Sequence, residues 1–137
     1  MAHALDPDVG AALVGASAQV RHHVTAGDTA ATLGSGDLPI LGTPRMIALM
    51  EDAACRALLG HLPPRFTTVG SRIDIRHVRP TPVGVDVVAY AEVVEVSDAR
   101  LTYAVRANQI IGDEETQIGT GTHVRVIVER EAFLEAL

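Results

Sequence analysis

The sequence predicts an α+β domain in which one antiparallel sheet packs on a single long helix. Three observations carry this prediction. One helical run, Pro44–Leu59, stands out in a chain that is otherwise strand-like. Four strand-like runs follow it, separated by turns too short for parallel crossovers, so sequence neighbours must pair antiparallel. Finally, 137 residues with 47% hydrophobic and 20% charged side chains make a single globular domain over residues 1–137, large enough to need no disulfide or metal staple.

The elements read in order as follows. Met1–Gly15 is small and weakly patterned, and residues 1–14 are expected to be poorly ordered. A strand is expected near Ala16–Thr25 and a short extended piece near Thr29–Leu33. Gly34–Gly42 (GSGDLPILG), with three glycines and a proline, reads as a loop. Thr43 is placed to cap the helix and Pro44 to occupy its first position, where a missing N–H costs nothing. Gly60 and the Pro63–Pro64 pair stop it. The strand-like runs are Val69–Val78, Val85–Val96, Leu101–Ile110 and Thr116–Glu129, with turns at Gly84, Ser97–Asp98 and Gly112–Asp113. Arg130–Leu137 forms a short helical tail. Valine recurs on both faces of these strands, whereas one helix covers one face. Something further must cover the rest, or a second subunit must extend the sheet.

Composition excludes several function classes. All 11 basic residues are arginine, against 17 acidic ones, and the net charge of −6 argues against nucleic-acid binding. The absence of lysine excludes Schiff-base chemistry. Cys55 is the only cysteine, which rules out an intrachain disulfide and a cysteine-built zinc site and fits a reducing, cytoplasmic setting. No run of 18 apolar residues suggests a membrane span, and the acidic start of the chain does not read as a signal peptide. No histidine or carboxylate spacing suggests a metal site, and none is expected. There is no G-x-S-x-G elbow.

Two positions depart from simple patterning. On the helix, Arg45, Asp52 and Arg56 fall within roughly 40° of one another and define the wet face. Glu51 does not join them: it lies on the flank of the apolar face, near Ile47, Ala54 and Leu58. A carboxylate there either reaches water or an arginine, or sits in a cleft with a chemical role. On the first strand after the helix, Ile73, Ile75 and His77 alternate onto the side expected to face the helix. His77 is then either a satisfied core histidine or a proton carrier. In the last strand, Gly119, Gly121, His123, Arg125 and Ile127 share a face. The alternating glycines suggest close approach of another backbone, plausibly the helix's. Arg125 is placed either to orient an anion or to pair with Glu51. Arg72, Arg76 and Arg79 form a cationic strip that reads as a solvated face or as a site for phosphates.

Taken together, Leu41–Leu59 (LGTPRMIALMEDAACRALL), Val69–Gly84 (VGSRIDIRHVRPTPVG) and Gly119–Arg125 (GTGTHVR) resemble the hotdog-fold acyl-CoA thioesterases, specifically the fluoroacetyl-CoA thioesterase-like group. The likeness covers roughly residues 15–134. It implies a sheet wrapped around one central helix, side-by-side homodimers or tetramers, and an acyl-CoA site at the subunit interface. It also implies hydrolysis of a small acyl group's thioester, with coenzyme A only as part of the substrate and no other cofactor. The resemblance assigns catalysis to Thr43, Glu51 and His77, and substrate contacts to Gly70 and Arg125. Thr43 then attacks directly or positions water, and a backbone N–H at Gly70 meets the developing oxyanion. The phenylalanines of the fluoroacetyl-specific lid have no counterpart in Gly34–Gly42. The alternative from another class is a non-catalytic hotdog protein that binds acyl-CoA or a small acid as a sensor or carrier partner.

Overall fold

Tight turns organise the second half of the chain. Gly112, at φ +63°, and Asp98, at φ +55°, adopt the left-handed backbone that lets two-residue connections reverse a twisted strand. In the computed structural model, which describes residues 2–137, these turns join β3 (Asp86–Ser97), β4 (Arg100–Ile111) and β5 (Glu114–Glu129). Ahead of them lie α1 (Pro7–Leu13), β1 (Ser17–His23), α2 (Ala30–Leu33), α3 (Thr43–Ala57) and β2 (Phe66–His77), and α4 (Arg130–Glu135) closes the chain. The five strands form one antiparallel sheet in the order β1-β3-β4-β5-β2. The predicted strands are therefore all present, with boundaries moved by a few residues.

α3 lies mainly across β1 and β3, reaches β4 and barely touches β2. Its inward residues Met46, Met50, Ala53 and Ala54 are fully buried against Ala89 and Val93 of β3 and Leu101 and Tyr103 of β4. Each large apolar side chain removed from water contributes about 1.5–3 kcal/mol, and the alanines let the sheet curl close to the helix axis. The expected wet face is also present: Arg56 pairs with Asp52 at 3.0 Å, and Arg45 with Asp28 at 3.0 Å.

Several expectations are corrected. Residues 7–13 form a helix, capped by the Asp6 carboxylate accepting from the Asp8 N–H, and it buries Leu13 and sets Gly10 against Val96 of β3. The stretch read as an extended piece at Thr29–Leu33 is the one-turn α2, whose start is capped by Thr29 Oγ1 accepting from the Thr32 N–H. A 3-10 turn at Ala26–Asp28 precedes it. Gly42, not Thr43, is the N-cap of α3, so Thr43 and Pro44 are its first two residues. Ile73 lies on the α3 side of the sheet, in register with His123, as expected, but it is 37% exposed because β2 is an outer strand beyond the cover of α3.

The two glycines of β5 also differ from each other. A Cβ on Gly119 would meet Met46 Sδ of α3 at 2.5 Å, so the helix approaches here through a side chain and not, as expected, through its backbone. A Cβ on Gly121 would instead strike the Asp74 carbonyl of the neighbouring β2. Where β2 pairs with β5, Gly70 stands opposite Arg125 and Arg72 opposite Val124, so Ser71 is an extra, bulged residue.

Candidate active site

The sequence-singled residues fall into two groups, one at the start of α3 and one at its middle. At its start, the Thr43 hydroxyl and His77 Nδ1 are 2.7 Å apart. Thr43 is placed by a loop pinned on several sides: Leu41 N–H donates to the Thr81 carbonyl, Gly42 N–H to the Asp28 carbonyl, and Ala30 N–H to the Ile40 carbonyl. The Asp28 carboxylate is itself buried. It accepts from the Thr25 N–H at 2.7 Å, lies 2.8 Å from His22 Nε2, and pairs with Arg45 in the first turn of the helix. Burial works against its ionisation, but these hydrogen bonds and the imidazole outweigh it and hold the carboxyl below its usual range.

His77 comes from the end of β2. Its Nε2 is buried without a hydrogen-bond partner. Burial pushes the imidazole's pKa down, against an opposing pull from the Arg79 backbone that is too poorly placed for a hydrogen bond. The ring is therefore neutral at ordinary pH and able to accept a proton at Nδ1. A cleft of about 260 Å³ opens beside the pair, lined by Ala30, Asp37, Leu38, Ile40 and Leu41. Gly42 offers no side-chain cap, and Thr43, the first residue of α3, lines this cleft.

The second group gathers around Glu51. Its Oε2 lies 3.2 Å from Arg125 Nη1 and 3.7 Å from His123 Nε2, while the side chain remains 39% exposed. Arg125 is held rigidly: Nε donates to Thr68 Oγ1 at 2.8 Å and Nη2 to the Thr68 carbonyl at 3.0 Å. Gly70 is part of this group for a steric reason, since a Cβ there would sit 2.7 Å from Glu51 Oε2 and 3.4 Å from Arg125 Nη1. Of the two sequence readings of Arg125, the structure places it on Glu51.

Within one protomer, Thr43 meets His77, but Glu51 does not join them. Eight residues along a helix span ~12 Å, and the seven from Gly70 to His77 along β2 span ~23 Å, so the groups stand apart. Sequence reasoning gave no role to His123, Thr68 or Asp28. His123 carried a signal, because it shares a strand face with Arg125 two residues away. Arg72, Arg76 and Arg79 are all exposed. Among the described residues, no three histidine, cysteine, aspartate or glutamate side chains come together as a metal site, and no helix is long and apolar enough to cross a membrane.

A single long helix wrapped by an antiparallel sheet, with the Thr43–His77 pair formed between the helix and the strand after it, defines a hotdog domain of the thioesterase type. The chain belongs to the fluoroacetyl-CoA-specific thioesterase family, whose profile matches residues 24–131. It is 35% identical over 94 residues to the fluoroacetyl-CoA thioesterase of Streptantibioticus cattleyicolor, a match covering 69% of this chain and 65% of that relative, just under two thirds of its length. A solved variant of a fluoroacetyl-CoA thioesterase in complex with acetyl-CoA is similar at a TM-score of 0.80 and 29% identity, over 90% of this chain and 94% of that one. The hot-dog-like protein from Thermanaerovibrio acidaminovorans, at 24% identity and a TM-score of 0.78 over 90% and 88% of the two chains, shares the fold.

Proposed function

We propose that this protein hydrolyses the thioester of an acyl-CoA with a small acyl group, giving the free acid and CoA. The observation that carries the reading is the 2.7 Å contact between the Thr43 hydroxyl and a neutral, half-buried His77 at the mouth of a short cleft. Thr43 Oγ attacks the thioester carbonyl while its proton passes to His77 Nδ1. The C–S bond then breaks, and the thiolate, a far weaker base than an amine, leaves and takes up that proton. Water then attacks the acyl-threonine ester, one of its protons passing to a carboxylate and on to the departing Thr43 oxygen, which restores the hydroxyl and releases the free acid. No cofactor enters this sequence.

The carboxylate is the partner subunit's Glu51. Support comes from the free outer edge of β2, the exposed Ile73 on it, and the separation of the two groups along that strand, at Gly70 and at His77. A two-fold axis near Ile73 and Asp74 pairs β2 with its copy and sets Gly70 of one chain opposite His77 of the other. Each site then combines one protomer's Thr43 and His77 with the partner's Glu51 and the partner's Gly70, whose backbone N–H serves as an oxyanion donor together with the start of α3. One such donor is typically worth about 2.7–4 kcal/mol. A cytoplasmic homodimer fits this reading and the single thiol of Cys55. Fluoroacetyl selectivity is not included, because the cleft lining carries aliphatic side chains and Asp37 but no phenylalanine.

Thiol release across a panel of acyl-CoAs, run beside equilibrium binding of the same compounds, tests the proposal. Turnover of a short acyl-CoA, lowered by orders of magnitude in Glu51→Gln and His77→Ala with the dimer intact, is expected. Tight binding with no release from the wild type indicates a sensor or carrier partner and overturns it.

A further inference from the structure

His123 is fully buried, yet both of its ring nitrogens are committed to polar partners. Nδ1 lies 2.8 Å from the Arg72 carbonyl oxygen, which only accepts, so Nδ1 carries the hydrogen. Nε2 is then a lone-pair acceptor, and it lies 3.1 Å from Arg125 Nη1, which only donates. The tautomer is thus set from both sides. Of the two hydrogens on Arg125 Nη1, one goes to His123 and the other to Glu51 Oε2.

From this geometry we infer that His123 is a positioning residue. As a neutral Nδ1–H imidazole it fixes the Arg125 guanidinium, which holds Glu51 Oε2 and leaves Oε1 free for proton transfer at the acyl-CoA site. The inference rests on the catalytic reading of Glu51 given above. The polar and titratable groups around the ring are Arg125 from β5, Glu51 from α3, the Arg72 carbonyl from β2, and Tyr103 from β4, stacked at 6.0 Å between centroids. Burial first, and then the Arg125 cation, push the imidazole's pKa down and keep it neutral, outweighing the Arg72 carbonyl and Glu51. Protonated, the ring would lose its acceptor, set a second cation beside Arg125 and offer Glu51 a competing donor.

Two measurements on the intact protein test the role. The ¹⁵N shifts of labelled wild-type protein without substrate should show one imidazole locked as the Nδ1–H tautomer, a signal assigned to His123 by its absence from His123→Gln. In kinetics, His123→Gln, whose amide oxygen still reaches Arg125, should keep kcat within ~5-fold, whereas His123→Leu should lose ~50-fold or more in kcat with little change in KM. Should the leucine variant fail to fold, His123→Asn replaces it. Asparagine can still donate to the Arg72 carbonyl but is too short to reach Arg125, so it should lose activity while glutamine retains it. Equal impairment of the glutamine and the apolar or short variant, wild-type kcat in the leucine variant, or an Nε2–H tautomer beside normal thiol release overturns the positioning role alone. The expected tautomer in a wild-type protein that releases no thiol from any acyl-CoA overturns the catalytic reading, and the role with it.

Discussion

The start and the middle of α3 treat their polar groups in opposite ways. At the start of the helix, Thr43 is exposed and touches one functional partner, His77, whose other nitrogen has none. Eight residues on, Glu51 is held by an arginine that is itself fixed by Thr68 and His123. The difference follows from charge. A neutral hydroxyl–imidazole pair tolerates a half-open cleft without compensation. A carboxylate beside a buried guanidinium needs every donor and acceptor matched, because one orphaned partner costs about 1–3 kcal/mol or more. The neutral pair is left open to the cleft, and the charged groups are braced.

Breaking the open end should have the largest effect. Thr43→Ala is expected to lower kcat/KM ~10³-fold, about 4 kcal/mol of transition-state stabilisation, with melting within a degree or two of wild type; Thr43→Ser should recover most of the rate. An alanine variant as active as wild type in a thiol-release assay would move the nucleophile elsewhere. Weakening the brace behind that end should act on stability. Asp28→Ala leaves Thr25, His22 and Arg45 without their acceptor and is expected to cost about 1–3 kcal/mol in denaturant unfolding. It should also raise KM, as the start of α3 loosens.

The smallest effect should appear in pH dependence. His77 and His123 both have folded pKa values lowered from 6.5, chiefly by burial. Below that value the unfolded chain binds more protons than the folded one, so their contribution is fully present above pH 6.5 and is lost as pH falls beneath it. Urea midpoints measured from pH 7.5 down to 5 should decline, and His123→Gln should flatten the decline. Midpoints that rise on acidification would contradict the neutral state of both rings.

Much of this comparison was legible in the sequence, but not its supporting parts. Helix period and breakers placed α3, and glycine or aspartate marked the turns at Asp98 and Gly112, because these signals are local. Asp6 followed by Pro7 is also a local helix-start signal, and α1 was missed for want of a long apolar stripe behind it. The four residues of α2 are helical through one cap and the loop folded over them, which no periodicity can reveal. Glu51 announced itself by sitting on the wrong side of the helix. His123 did not, since its burial, its tautomer and its arginine depend on which strand lies beside β5. The exposure of Ile73 is hidden for the same reason: alternation gives the side of a sheet, not the distance from its edge.

The extra residue at Ser71 carries a consequence for how this strand can change. Gly70 and His77 are an odd number of positions apart, so a regular strand would turn them to opposite sides, yet both lie on the side of α3 because the bulge shifts the alternation by one. Losing Ser71, or gaining one residue anywhere between Gly70 and His77, would rotate one of them outward while leaving every side chain chemically intact. Substitutions in this stretch can therefore be tolerated singly, whereas changes in its length can be accommodated only in pairs.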